Sequence, residues 1–278
     1  MITAAILIGS GLLISTIGAA TVGFDFSRIV QKSQGEKKTF TISNEFDSIS
    51  IKNVSDNVEF LPSEGNECTV ICYDHDHLKY NVSVNNGTLD IREEDNRQWF
   101  EHIGFFNIGW ESENVTVYLP EGTYHDLNID TVSGNVTLKN HYSFDNAVIN
   151  TISGDISITK IKVNESGSFD TISGSVALDS ILCGTMTAES VSGDITLRNP
   201  MAKNYINLNT TSGDIQLNNP VSESLSAHTV SGDIVGTMSG SWEYDTSTIS
   251  GDVNVPERIG KNRCELRTTS GDISIDEE

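Results

Sequence analysis

The sequence predicts an all-β fold: a parallel β-solenoid of about eight coils of 19–20 residues, with a degenerate N-terminal coil and an inserted β-hairpin, preceded by one transmembrane helix. Three observations predict it. The phrase [TS]-x-S-G recurs in register eight times, with its glycine at 134, 154, 174, 193, 213, 232, 251 and 271. Successive glycines are always 19 or 20 residues apart, and a fixed period of this size marks stacked repeats. Around each phrase apolar and polar residues alternate with the two-residue period of a strand. Val, Ile, Thr and Ser are plentiful and aromatics make up only 7% of the chain, a composition that suits strands.

Taken in order, residues 1–24 read as a membrane anchor helix. Ile2–Phe24 carries no charge over 23 residues, and such a helix would be about 35 Å long, enough to span a bilayer. A cleavable signal peptide is the rival reading, because Gly18 and Ala20 are small residues suitably placed. The apolar run is long for that role, and no basic residue precedes it. Residues 25–39 form a polar stalk containing Arg28, Lys32, Lys37 and Lys38. By charge alone these would hold the following domain on the cytoplasmic side.

Residues 40–118 form an N-terminal β region. "SISIKNVSDNVEFLP" aligns with the repeat as a worn copy in which Asp56 replaces the glycine. "CTVICYD" is a strand, and "KYNVSVNNGTLDIRE" is a hairpin turning at Asn86-Gly87. Trp99, Phe100, Phe105, Phe106 and Trp110 then crowd one segment, which is expected to cap the open end of the core.

Residues 119–278 are the array itself. With each Ser-Gly at positions seven and eight, positions one, three, ten and twelve are mostly apolar and should face inward. Each strand should pair in parallel with the same strand of its neighbours, giving a stack about 38 Å long for eight coils. Alternation also turns the Thr of position five and the Ser of position seven inward, where hydroxyls could bond along the stack. The glycines Gly134, Gly154, Gly174, Gly193, Gly213, Gly232, Gly251 and Gly271 are read as corner residues that need positive φ. A later apolar column, Ile161, Ile181, Met201, Val221 and Ile259, is expected to close a third side.

The function classes narrow next. With 39 acidic and 17 basic residues the net charge is -22, which excludes nucleic acid as a partner. Cys68 and Cys72 lie roughly 13 Å apart on an extended strand, so no disulfide framework is expected. The repeated serine has no His in register, and there is no nucleophile elbow, phosphate loop or zinc spacing. The chain therefore reads as non-enzymatic and without a cofactor.

Two columns can carry an interaction. Position nine holds Asn135, Asp155, Ser175, Asp194, Asp214, Asp233, Asp252 and Asp272. Asp194, Asp214, Asp233, Asp252 and Asp272 would line up as carboxylates able to hold Ca2+ weakly; the preferred reading is a solvated turn residue. Position six holds Val132, Ile152, Ile172, Val191, Thr211, Val230, Ile249 and Thr269. It is either an outward β-branched contact stripe or, if the corner breaks parity, part of the core. "DHDH" at Asp74–His77 is a metal candidate or, preferably, a loop at a strand end.

Together, "GFDFSRI" after an apolar helix, "SISIKNVSDNVEFLP", "VTVYLP" and the T-x-S-G-D-[VI] units resemble the bacterial putative-adhesin family with β-strand repeats, a domain of unknown function. The resemblance covers nearly the whole chain. It implies a β-solenoid on the cell envelope, membrane-anchored and facing outward, without established catalysis. The expected function is thus a non-catalytic, adhesin-like binding or scaffold surface for an unidentified protein or surface partner. The alternative is an envelope-stress sensor that binds a membrane partner.

Overall fold

The computed structural model describes residues 35–75, 78–95, 113–257 and 259–277. The anchor, most of the stalk and the aromatic segment Trp99–Trp110 lie outside these residues. Among the described residues every regular element is a strand, and no helix is long and apolar enough to cross a membrane.

The strands form two sheets, one of twelve strands and one of eleven, and every coil contributes one strand to each. A representative coil runs through Lys162–Asp170, in the eleven-stranded sheet, and Val176–Asp179, in the twelve-stranded sheet. The corner Thr171–Ser175 joins them. Positions one and three face positions ten and twelve across the gap between the sheets. Phe169, Val176 and Leu178 are buried, as are their equivalents along the array apart from Gly236, Thr246, Val253 and Val255. Volumes compensate within a coil: Gly167 leaves space beside the ring of Phe169, and a Cβ there would lie 2.9 Å from that ring. The alternation between 19 and 20 residues is absorbed in the eleven-stranded sheet. There Asn164 and Glu165 of one coil stand opposite Gly184 alone in the next, so the ladder shifts register locally.

Two features of the stack depart from simple sequence order. The last coil, Asn262–Arg267 with Ile273–Glu277, inserts between Ser224–His228 with Ile234–Met238 and the outermost coil, Trp242–Ser247 with Val253–Asn254. Likewise the worn first coil, Ser48–Lys52 with Asn57–Pro62, inserts between the first full coil, Thr123–Asp130 with Val136–Lys139, and Thr88–Asp95 with Asn114–Leu119. The stack therefore has ten coils among the described residues, and same-strand parallel pairing holds with a different neighbour order at each end.

Three antiparallel strands complete the N-terminal end. The expected hairpin pairs Leu78–Asn85 with Thr88–Asp95, and its turn residues Asn86 and Gly87 have φ of 50° and 81°. Cys68–Asp74 pairs with Asn114–Leu119, and Glu36–Ile42 pairs with Cys68–Asp74. That first strand begins within the stretch expected to be stalk. All four cysteines are free and buried.

Three expectations about the array need correction. The repeat glycines do not have positive φ; the left-handed residues sit at the opposite corner, position fourteen, where Lys160, Ser180, Asn199 and Asn219 have φ of 58°, 55°, 47° and 50°. The serine of position seven points outward and is exposed in all eight coils, because the corner places two successive side chains outside. The third-side column is offset by one in later coils: Pro200 and Pro220 occupy the buried place of Ile161 and Ile181. Met201 and Val221 are therefore 50% and 47% exposed, and Ile259 is 98% exposed.

Candidate functional site

The Ser-Gly corner is the most regular surface of the stack, and three ladders build it. The hydroxyl of position five is buried and bonds in two directions. In Thr171, for example, Oγ1 accepts the Gly174 N–H at 3.1 Å and donates to the Gly154 carbonyl of the adjacent coil at 3.1 Å. Ser190 repeats this geometry at 2.9 and 3.0 Å. In these coils the buried position-five hydroxyl is thus satisfied by backbone.

Glycine provides the second ladder. A Cβ at Gly154, Gly174 or Gly193 would lie 1.9, 1.9 or 1.8 Å from the carbonyl oxygen of the glycine one coil away. Glycine is needed for this close approach of backbones. The file begins where Gly134 abuts the Asp56 carbonyl and ends Gly232, Gly271, Gly251, in the reordered sequence of coils.

Position nine forms the third. The side-chain oxygen of each residue accepts the position-nine N–H of the next coil. Asp155 N–H bonds Asn135 Oδ1 at 2.8 Å, Asp214 N–H bonds Asp194 Oδ1 at 2.9 Å, and Asp233 N–H bonds Asp214 Oδ1 at 2.8 Å. Asp272 N–H then bonds Asp233 Oδ1, and Asp252 N–H bonds Asp272 Oδ1, both at 2.8 Å. The five candidate metal ligands therefore do form a file, in the order Asp194, Asp214, Asp233, Asp272, Asp252. One oxygen of each, the terminal Asp252 aside, is committed to backbone. Asn57, Asn135 and Ser175 serve equally in the ladder, which needs an acceptor oxygen and no charge.

Between the hydroxyl and glycine ladders, position six faces outward. Val132, Ile152, Ile172, Val191 and Val230 are 39–48% exposed, and Ile249 at the end is 84% exposed. Val54 of the worn coil extends the stripe. Of the two readings, outward stripe or core column, the outward one holds; the corner does break parity, but it does so by turning position seven outward as well.

The N-terminal end of the corner holds titratable groups that the repeat pattern does not announce beyond the single Asp-for-Gly exchange. Asp56 is buried and accepts a bond from the Tyr80 hydroxyl at 2.8 Å. Burial raises its pKa, partly offset by that bond. Burial likewise raises Glu93, whose carboxylate accepts the Val54 N–H at 2.6 Å. His75 Nε2 lies 3.3 Å from Glu113. Of the Asp74–His77 candidate, Asp74 accepts the Tyr80 N–H at 2.9 Å as a turn residue, His75 joins this cluster, and Asp76 and His77 lie outside the described residues. Burial pushes the thiols of Cys68, Cys72 and Cys264 up to about 12 and Cys183 to about 11, leaving them unreactive thiols at neutral pH.

Comparison with known proteins follows the same outline. The family profile described as Toastrack DUF4097 matches residues 46–276. A search of curated protein sequences finds no match. Among solved structures, a protein from Bacteroides fragilis described as a putative adhesin superposes with a TM-score of 0.52 at 15% identity, covering 87% of this chain and 97% of its own. A protein from Parabacteroides distasonis described as a putative lipid binding protein gives a TM-score of 0.52 at 16% identity, with the same coverage of 87% and 97%. At these identities the likeness is one of fold.

Proposed function

We propose, from the premise that the chain belongs to the Toastrack DUF4097 family, that it is a non-catalytic, adhesin-like surface protein of the cell envelope. In this reading the apolar segment Ile2–Phe24 holds it in the membrane and the stack faces outward. One observation carries the proposal. The corner repeats a β-branched, mostly apolar stripe coil after coil beside a file rich in carboxylates, held by backbone bonding that leaves little freedom to rearrange. A repeated, pre-organised face suits adhesion, since it loses little entropy on contact and can be engaged at several levels at once. The description of a fold relative as a putative adhesin points the same way.

The test is protease treatment of intact cells that make the chain. Release of array fragments without lysis supports an outward-facing, anchored stack. Complete protection, with digestion only after lysis, refutes it.

A further inference from the structure

The outer face of the eleven-stranded sheet is tied together along most of its length by side-chain bonds between coils. Asn146 bonds Asp126, Ser166 bonds Asn146, Thr187 bonds Ser168 and Asn209 bonds Glu189, at 2.9–3.1 Å. Toward the C-terminal end the contacts between coils shift to Arg267 with Asp245 and His228 with Glu265. A groove of about 830 Å³ opens across four coils, within the size range of small-ligand sites.

Its floor is Ser224 and Ser226, the smallest outward residues of that region. Register places Tyr205 and Asn207 on one side of the serines, and Arg263 and Glu265 on the other. Beyond these stand Glu243 and Asp245 on the outermost coil. Tyr205 is 43% exposed. Among the described residues the side chains of Tyr205, Asn207, Glu243 and Arg263 make no hydrogen bond or ion pair, unlike the laddered residues elsewhere on this face. The carboxylates at one edge are fixed in place: Arg267 Nη2 holds Asp245 at 3.0 Å, and its Nε donates to Glu265, which also lies 3.4 Å from His228 Nε2.

We propose that this groove binds a short neutral oligosaccharide lying along the stack. A tyrosine ring offers a flat apolar face to the C–H side of a pyranose, while its hydroxyl stays in water. Fixed carboxylates accept from vicinal hydroxyls, and Asn207 and Arg263 supply donors. Glu243, Asp245 and Glu265 outnumber Arg263 among the lining charges, which disfavours an anionic ligand. Four coils span three spacings of about 4.8 Å, roughly 14 Å, room for an oligosaccharide of a few residues. The groove uses different residues from the corner stripe, so its failure would leave the adhesion reading intact.

The test titrates the purified full chain with maltohexaose, cellohexaose, mannohexaose and chitohexaose, followed by saturation-transfer NMR and calorimetry. At least one should bind, with its affinity falling 10-fold or more in Tyr205→Ala and in Ser226→Trp, which fills the floor. Ile172→Thr, on the corner stripe, should leave the affinity unchanged. Circular dichroism melting checks that each variant is folded, and a second floor variant, Ser224→Tyr, replaces any that is not. Binding by none of the four sugars overturns the proposal. So does binding that survives both Tyr205→Ala and a folded floor-filling variant.

Discussion

Replacing Gly193 by alanine should cost far more than the exchange usually does. At a site free of strain, Gly→Ala stabilises by about 0.4–1 kcal/mol, because it reduces the freedom of the unfolded chain. At Gly193 the added Cβ would lie 1.8 Å from the Gly174 carbonyl oxygen. Both atoms belong to backbone that is held in ladders, so neither can swing aside. Ordinary contact begins at 3.4 Å, so the two coils must part by ~1.6 Å at this corner. That displacement breaks the Ser190 Oγ bond to Gly174 O and the Ser192 N–H bond to Ile172 O, both 3.0 Å, and strains the 3.3 Å bond from Asp194 N–H to Ser175 Oγ. Two or three such bonds at about 1 kcal/mol net each, together with overpacking of about 1–3 kcal/mol, give an expected loss of roughly 3–6 kcal/mol. Urea denaturation measures the loss, and hydrogen exchange localises it, since a repeat stack need not unfold in one step. Gly193→Asn sharpens the test. Asparagine tolerates left-handed backbone, so a positive-φ corner would accept it, whereas close approach rejects it as firmly as alanine. A Gly193→Ala variant within about 1 kcal/mol of wild type, or a mild Gly193→Asn, would refute the close-approach argument.

Four further outcomes follow from the same geometry. Lys160→Gly should raise the urea midpoint by about 0.5–1 kcal/mol of stability, because φ of 58° costs a side chain more than glycine loses in entropy; an unchanged or lower midpoint counts against it. In the position-nine ladder, Asp214→Asn should be nearly neutral, while Asp214→Ala strands the Asp233 N–H and should cost about 1 kcal/mol. On the same variants calcium should raise the melting temperature no more than monovalent salt of equal ionic strength, and a calcium-specific rise lost in Asp214→Asn would instead reveal a metal site. Finally, burial raises the pKa of Asp56, so the folded state holds its proton to higher pH than the unfolded chain. Between those two pKa values the native state binds more protons, and stability falls as pH rises. Asp56→Asn keeps an acceptor for Tyr80 and should melt higher than wild type at pH 7, with the gap closing as pH is lowered toward the unfolded carboxylate range; a gap independent of pH would show that charge is not the cause.

Much of this fold was legible because the repeat states it eight times. Alternation located the inward residues, and Asn86-Gly87 located the hairpin. The reason for the corner glycine was not legible. Positive φ and close approach both select glycine, and only the position of the neighbouring coil separates them. Position fourteen shows the converse: it is left-handed, yet it is filled by Lys160, Ser180, Asn199 and Asn219, so the sequence carries at most an asparagine bias there. The outward turn of the position-seven serine was hidden for a similar reason, since alternation fails where the chain bends. Coil order was hidden more deeply. Coils with the same pattern can pair with one another in any order, and nothing local records which neighbour each will take. The sugar groove depends on that order: Arg263 and Glu265 stand beside Ser224 and Ser226 only because the last coil inserts ahead of the coil preceding it in sequence.

The inserted coils have a physical rationale at both ends. The last coil brings Cys264, Leu266, Ile273 and Ile275 inward, all buried. The coil it displaces brings Tyr244 and Thr246, half-buried, and Val253, 44% exposed. Placing the more apolar coil inside spares its four residues from solvent and leaves the Thr246 hydroxyl at the end, where it need not be buried on both sides. Trp242 of that outermost coil is itself buried, with its indole N–H bonded to the Ser239 carbonyl at 3.1 Å. The exposed edges are then poor templates for another copy. One is the strand Trp242–Ser247, carrying Glu243 and Asp245; the other, Val253–Asn254, is only two residues long. At the opposite end both candidate coils are apolar, so burial does not choose between them. There the antiparallel strands decide: Cys68–Asp74 and Leu78–Asn85 pair with the outer coil and occupy its edges, which ends parallel stacking in that direction. A repeat that could in principle extend indefinitely is thereby closed by a weakly apolar coil at one end and by reversed strands at the other.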